Sequence, residues 1–424
     1  MSDVNLNEPF GIGNTKVGQL TPKDKIEVDI YYSFDALTAI QHEWDNFIEE
    51  VGGEIFLTYD WCRTWWKYYG GKRDLAIFIF RDRGNICGII PLFHEKLRIG
   101  PLSINVIKFV SSDYTPVAFS IAIKDDYIDQ VVDLLTRGIH ARWRSWHLLY
   151  IGAICGRYDN LENLVNAFKI RFGNKYRCEL KVTDVQSYFS VAPSWEAQIA
   201  NLVPKQRTNA RRAFRETASK RIEISNHIAS RETLAPMFEN FVRMHQEHWQ
   251  GIGRAGHFGA WPFAKEFHRE IAEIQLELNR LRLIEIDFNG ISVGYEYLYK
   301  LHDTYCWFLG ARAYFEDNTH IDFKWIAFRA KIENAINDGV TTIDGMRGNY
   351  EYKLLMGGKT MPIRSLFIYS SRIPVRQNVF AFRLLSKFLH IIYNKIWRER
   401  VALRCGIKPK TFWDDWVRFH QLSA

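Results

Sequence analysis

A chain of 424 residues, 47% hydrophobic and 25% charged, has the composition of a soluble globular protein and the length of two ordinary domains. Its formal charge of +8 is spread along the chain, which attracts anions but excludes a dedicated nucleic-acid arm. Six scattered cysteines with no C-x-x-C pair exclude a disulfide scaffold and fit reduced thiols in a cytosol, and no run of about eighteen apolar residues predicts a membrane-crossing helix.

Residues 1–25 are polar, contain glycine and lack an apolar core, so a flexible leader is expected. In "SFDALTAIQHEWDNFIEEVG", Phe34, Leu37, Ile40, Trp44, Phe47 and Ile48 recur at helical spacing, and Ser33 can cap the helix. "TYDWCRTWWKYYGG" predicts a second helix stopped by Gly70 and Gly71. "DLAIFIF", a turn at "RDRGN" and "ICGIIPLFHEKLR" form a hairpin signal. A third strand, "INVIKFV", leads into the polar loop "SSDYTP". The helix "YIDQVVDLLTRGIHAR" and the strand "SWHLLYIG" follow.

The second half repeats this order. Helices "TLAPMFENFVRMHQEHWQ" and "FAKEFHREIAEIQLELN" precede the strands "LRLIEIDF", "ISVGYEYLYKL" and "TYCWFLGA". The helix "IDFKWIAFRAKIENAINDG" and the strands "TTIDGMRG" and "IRSLFIYSS" complete it. Gly84 and Gly88 in the first half match Gly290 and Gly294 in the second. The first glycine of each pair suits the positive φ of a tight turn; the second suits a bulge or a close backbone approach. The expected organisation is therefore a first domain at 26–190, a basic helical connector at 191–230, a second domain at 231–372, and an amphipathic basic tail at 373–424.

This order resembles the GNAT acyltransferase fold in tandem, as in FemABX-type proteins. "QRTNARRAF", "FENFVRMHQEHWQGIGRAGHF", "SSDYTP" and above all the Asp-x-x-x-Gly-x-x-x-Tyr-Lys pattern of "IDGMRGNYEYK" are similar to the BioF2-like group linked to cellulose biosynthesis. The resemblance implies an α/β fold of tandem GNAT-like domains, with mixed twisted sheets flanked by helices. It also implies an acyl-CoA co-substrate such as acetyl-CoA and no metal. The acceptor would be a small molecule, a saccharide or an envelope precursor, and the location cytoplasmic. The departure is "GARAYFEDNTHIDFKW", which has no glycine after Gly310 where GNAT enzymes carry a phosphate-cradling loop.

Acyl transfer needs a deprotonated, positioned acceptor and a donor for the oxyanion. Asp344 is the candidate base or acceptor contact, with Arg347 and Lys353 to hold an anion and Tyr350 to protonate the leaving thiolate; alternatively Asp344 pairs with Arg347 merely to order the turn. His245 and His248 share one helical face, His245 as a second candidate base and His248 as an acceptor contact. With H-E-x-x-H spacing absent, no metal site is expected. Trp249 can stack on a sugar, and Asp113 and Tyr114 are loop contacts for the acceptor. For the donor's phosphates the candidates are Arg312, Asn318 and Thr319, together with Arg211 and Arg212. An aminoacyl-tRNA donor is one alternative, which would also use these arginines and is the one case in which nucleic acid is expected; a catalytically inactive GNAT-like regulatory or assembly protein at the membrane is the other. The tail helix, with Phe382, Leu385, Phe388, Leu389, Ile392 and Ile396 on one face, either packs on the second domain or lies on the inner membrane.

Overall fold

The computed structural model describes residues 26–115, 117–252, 254, 256–313, 321–348, 350–402, 404, 405, 418 and 422; the leader at 1–25 and the candidates Asn318 and Thr319 lie outside them. The first half runs β1 (Ile26–Tyr31), α1 (Gln41–Glu50), α2 (Tyr59–Tyr69), β2 (Asp74–Asp82), β3 (Asn85–Ile99), β4 (Leu102–Phe109), α3 (Ile128–Arg142), β5 (Leu148–Ile154), α4 (Leu161–Phe172) and β6 (Tyr176–Ser190). Two connecting helices follow, α5 (Trp195–Ala200) and α6 (Pro204–Ser219). The second half runs β7 (Ile224–Ile228), α7 (Leu234–Gly251), α8 (His257–Ala260), α9 (Ala264–Glu277), β8 (Leu281–Phe288), β9 (Ile291–Leu301), β10 (Thr304–Arg312), α10 (Phe323–Asn337), β11 (Thr342–Arg347), α11 (Glu351–Leu355) and β12 (Lys359–Ser370). Last comes α12 (Ile373–Ile391), continued by a helical stretch at Ile392–Ala402.

The matched glycines do the same work in both halves. Gly84 (φ +85°) and Gly290 (φ +78°) sit in the hairpin turns. Register shifts then leave Cys87 and Val293 as the extra residues of two equivalent bulges, immediately before Gly88 and Gly294. A Cβ on Gly294 would lie 2.3 Å from Phe323 Cζ at the start of α10, and one on Gly88 3.2 Å from Phe80 Cδ2 and 3.4 Å from Val131 in α3. Each glycine thus lets the following helix close down on the sheet.

The twelve described strands form one mixed sheet in the order β1-β2-β3-β4-β5-β12-β6-β11-β10-β9-β8-β7. The halves exchange their last strands: β12 of the second pairs with β5 of the first, and β6 of the first pairs with β11 of the second. β6 and β12 run antiparallel to each other along the seam. β6 is half-exposed and mostly polar, which hides its strand character from hydrophobic patterning. β7 falls inside the stretch expected as a connector and pairs with β8.

The strand exchange also decides the fate of the tail. Because β12 ends beside β5, α12 covers the first half rather than the second. Its Val379 and Phe382 pack with Leu97, Ile104, Val106, Leu148 and Phe367.

The halves differ where β4 and β5, or β10 and β11, diverge. In the first half the parallel pairing covers only Val106–Lys108 against Leu148–Tyr150. Beyond it, the segment at 117–123 fills the space between β3 and β5. Phe119 N–H donates to Ala153 O (3.1 Å), Cys155 N–H donates to Phe119 O (3.0 Å), and Ile89 N–H donates to Ala122 O (2.9 Å). In the second half β10 and β11 pair over Thr304–Cys306 against Thr342–Asp344. β11 then bulges toward β6 between Asp344 and Arg347, and β10 bulges between Trp307 and Leu309. Among the described residues no segment bridges β10 and β11 beyond Asp344.

Candidate active site

A cleft of about 590 Å³ lies where the halves meet, over β6, β9, β10 and β11. Asp344 of β11 stands on its floor and is only 4% exposed. Gln186 Nε2 donates to its Oδ2 (2.6 Å) and Met346 N–H donates to its Oδ1 (2.8 Å). The left-handed backbone of Met346 (φ +61°) folds that N–H back onto the carboxylate. Burial pushes the Asp344 carboxyl up to about 7; the Met346 N–H opposes this and the charge of Glu54 adds to it. A carboxylic acid poised there exchanges protons at neutral pH.

Glu54 supplies the second carboxyl, from the turn between α1 and α2. It accepts Ser120 N–H (2.6 Å), Ser120 Oγ–H (2.9 Å) and Cys155 Sγ–H (3.0 Å), and burial raises it above the usual carboxylate range. Ser120 belongs to the segment that closes the first half's gap. Burial and the Glu54 charge also raise the Cys155 thiol far above its ordinary value, so it stays a neutral thiol and no nucleophile. Tyr188, opposite Asp344 across the β6–β11 pairing, completes the wall, with the Arg157 guanidinium 5.5 Å from its ring centroid.

Seven carboxyls line the cleft: Glu49, Glu50, Glu54, Asp125, Asp159, Asp303 and Asp344. Glu49 turns to Arg280 (3.0 Å) and Glu50 to Lys124 (2.6 Å). Beside the other five, the lining includes a single Lys or Arg, Arg157. The cleft is therefore negative and attracts cations.

The structure gathers only part of the predicted set around Asp344. Lys353 is buried and its Nζ donates to the carbonyls of Gly345 (2.6 Å), Arg347 (3.2 Å) and Met346 (3.4 Å); burial lowers it to about 8. It clamps the turn after Asp344. Arg347 pairs with Asp184 of β6 (3.2 Å) instead of Asp344. Tyr350 is exposed, with its ring 4.8 Å from Lys353 Nζ, and lies outside the cleft lining.

His245, His248, Trp249 and Arg312 form a separate group near the far end of β10. His245 Nδ1–H donates to Gly310 O (3.0 Å), and its Nε2 faces the N–H of His257 (3.4 Å). Burial holds His245 down at about 4, so the ring is neutral. His248 is lowered by burial and by Arg312. Gly310 is four residues beyond Cys306, about 13 Å along an extended strand.

Asp113 and Tyr114 belong to the core of the first half. Arg73 grips both Asp113 carboxylate oxygens (3.1 Å each) and Lys108 adds a third contact (3.2 Å). Tyr114 stacks on Tyr69 at 4.5 Å. Beside them burial pushes Glu95 up, but Lys108, Arg73 and Arg418 outweigh it and hold its carboxyl at about 2. Arg211 and Arg212 are exposed on α6, Arg212 beside Glu216 (3.4 Å), and neither lines the cleft. Sequence reasoning missed Glu54, Ser120, Cys155 and Tyr188; the one local signal was the Gly52-Gly53 break before Glu54 between two helices.

The family described as an acetyltransferase (GNAT) domain matches residues 204–354, from α6 through β7–β11 into α11. No curated protein matched the chain. Among solved structures, FemX aligns over 80% of this chain and 97% of its own, at 12% identity and a TM-score of 0.55. L-PGS from Bacillus licheniformis aligns over 81% and 96%, at 14% identity and a TM-score of 0.45. A tandem GNAT protein from the clavulanic acid biosynthesis pathway aligns over 81% and 98%, at 11% identity and a TM-score of 0.40. The fold is thus a mixed α/β one, a twisted mixed sheet flanked by helices that FemX shares over most of both chains, and the acetyltransferase domain match at 204–354 supports acyltransferase activity. No described helix is long and apolar enough to cross a membrane.

Proposed function

We propose that the chain transfers an acyl group from an acyl-CoA, acetyl-CoA foremost, to an amine that enters the acidic cleft. The observation that carries this reading is Asp344: a buried carboxyl held near neutrality, at the point where β10 and β11 part, in a cleft lined by acidic groups.

The residues around the strand gap suit a thioester arm. β10 and β11 leave each other after Cys306 and Asp344, so an extended acyl-pantetheine chain can lie along strand edges that no described segment occupies. Acyl-CoA would supply the activated carbonyl and a thiolate leaving group. Arg312, exposed at the end of β10, is the described cation nearest in sequence to the phosphate-binding position.

The chain's own part is to choose and deprotonate the acceptor. An amine reaches the cleft mostly as ammonium, which the acidic lining attracts, whereas it repels a phosphorylated sugar. Asp344 as carboxylate takes the ammonium proton, and the neutral amine is then the nucleophile. Gln186 and Met346 N–H fix the carboxylate's orientation. An amino sugar without phosphate fits this lining as well as a simple amine does. The narrower likeness to the BioF2-like group rests on the Asp344–Lys353 pattern, of which Asp344 faces the cleft and Lys353 supports the turn.

The test is release of free coenzyme A from acetyl-CoA with a panel of amines, amino sugars and nucleotide-sugars. Amine-dependent release that Asp344→Asn abolishes is expected. Turnover of hydroxyl-only or phosphorylated acceptors in preference to amines would overturn the acceptor class. Binding of tRNA dependent on Arg211 and Arg212, with no acyl-CoA turnover, would replace the donor.

A further inference from the structure

The outer face of α12 is apolar where a surface helix is ordinarily polar. Ile373, Phe380, Leu384, Phe388 and Ile391 fall along one stripe, and Phe380, Leu384 and Phe388 are 66%, 58% and 58% exposed. The helix's other side already packs on the sheet through Val379 and Phe382. The stripe is therefore additional to the core contact, and it is larger than scattered surface hydrophobics account for.

A second observation stands beside it. A depression of about 540 Å³ opens between α12 and the ends of β6 and β12. Its lining includes four cations, Lys181, Arg376, Arg383 and Lys387, against the single carboxylate Glu179. Arg383 reaches Glu179 at 3.3 Å, whereas Lys181 is 3.9 Å away from it. Burial and the neighbouring Arg383 and Lys387 depress the Lys181 ammonium, so the cations crowd one another. Phe380 and Leu384 form the apolar rim of the same depression.

Cations in a depression with an apolar rim fit an amphiphile with an anionic head, and the helix Ile373–Ile391 contains no Asp or Glu at all. A second copy of this face would set cation against cation. We infer that α12 docks the protein on an anionic phospholipid surface, with Phe380, Leu384 and Phe388 entering the interface and Lys181, Arg376 and Lys387 holding the phosphate headgroups. The inference is independent of the acyl-transfer reading and places the chain beside a bilayer, and no described helix is long and apolar enough to cross one.

Flotation of the full chain with vesicles tests it. Vesicles containing phosphatidylglycerol are expected to retain the protein, and vesicles of phosphatidylcholine alone to retain at least about tenfold less, because each basic residue at an anionic surface is worth roughly fivefold in partition. Phe380→Asp with Leu384→Asp removes the apolar contact and should release the protein from the mixed vesicles. Arg376→Glu with Lys387→Glu removes the headgroup contacts and should do the same. Both pairs are exposed or half-exposed, so an unchanged thermal melt accompanies either result. Equal retention by both vesicle types, or wild-type retention by either double variant, would overturn the inference. So would a wild-type dimer in light scattering that Phe380→Asp dissolves while lipid retention is absent, since the stripe would then join two copies. Binding of inorganic phosphate at the depression without vesicle retention would equally refute docking.

Discussion

In the first half, the segment at 117–123 lies between β3 and β5 and closes the gap left where β4 turns away. In the second half, β10 keeps its pairing with β9 through Arg312, and the gap lies between β10 and β11 instead. The two halves share strand order, bulge position and glycine spacing, yet only the second retains a parting of strands free of a described segment. The closing segment also serves the second half's cleft. Its Ser120 gives both hydrogens to Glu54, and that carboxyl forms part of the wall facing Asp344. The first half forms part of the wall of the second half's cleft, and the exchange of β6 and β12 holds the two in register.

The sharpest way to break this comparison is Asp344→Asn. General base catalysis contributes about 10²–10⁴-fold, so kcat/KM should fall by roughly a thousandfold. The folded carboxyl sits near 7, above its ordinary value, so it costs stability progressively as pH rises from about 4 to about 7. Asparagine removes that cost and can still accept Met346 N–H. Denaturant unfolding at pH 8 should show a gain of roughly 2–4 kcal/mol, and none near pH 3. A variant that is both inactive and less stable at pH 8 would place Asp344 in the framework rather than the chemistry.

The matched glycines offer the next largest effect. Alanine at Gly294 brings its Cβ within 2.3 Å of Phe323 Cζ and 2.9 Å of Ala311 O; at Gly88 the nearest atom is the Phe80 ring at 3.2 Å. Gly294→Ala should cost about 2–3 kcal/mol of unfolding free energy and Gly88→Ala about 1 or less. Equal costs would mean that the halves press their helices on the sheet with equal force.

Glu54→Gln comes third. It removes a like charge near Asp344 while keeping an acceptor for Ser120, so the acid limb of the kcat/KM profile should move to lower pH, with about tenfold lower activity. An unmoved limb would uncouple the two carboxyls and with them the two halves.

The tandem order was legible because both meanders and their helices carry strong periodicity, and the Gly-x-x-x-Gly pairs mark the bulges in the sequence itself. Asp344 was legible for a similar local reason, an acidic residue ending an apolar strand before a glycine turn. Glu54, Ser120 and Tyr188 were not, since what makes them a wall is the strand exchange, and its key strand β6 reads as polar. Asp113 illustrates the converse: "SSDYTP" reads as a loop, but Arg73 and Lys108 bury its carboxylate, partners that lie 40 and 5 residues away. Burial of a charge depends on such counter-charges, which local sequence does not display.

The smallest effect is expected at Tyr350. Its ring centroid lies 4.8 Å from Lys353 Nζ, and it is not part of the cleft lining. Loss of the hydroxyl in Tyr350→Phe keeps the ring beneath Lys353, so kcat should change by less than about threefold if the leaving thiolate takes its proton from elsewhere. A drop of about 10²-fold confined to kcat, with KM unchanged, is instead what removal of a general acid produces. Since Tyr350 belongs wholly to the second half, that outcome would leave the chemistry to one copy and reduce Glu54 and its neighbours to acceptor binding. A silent substitution leaves the proton to a group on the shared wall, and the pH profile of Glu54→Gln then identifies which half supplies it.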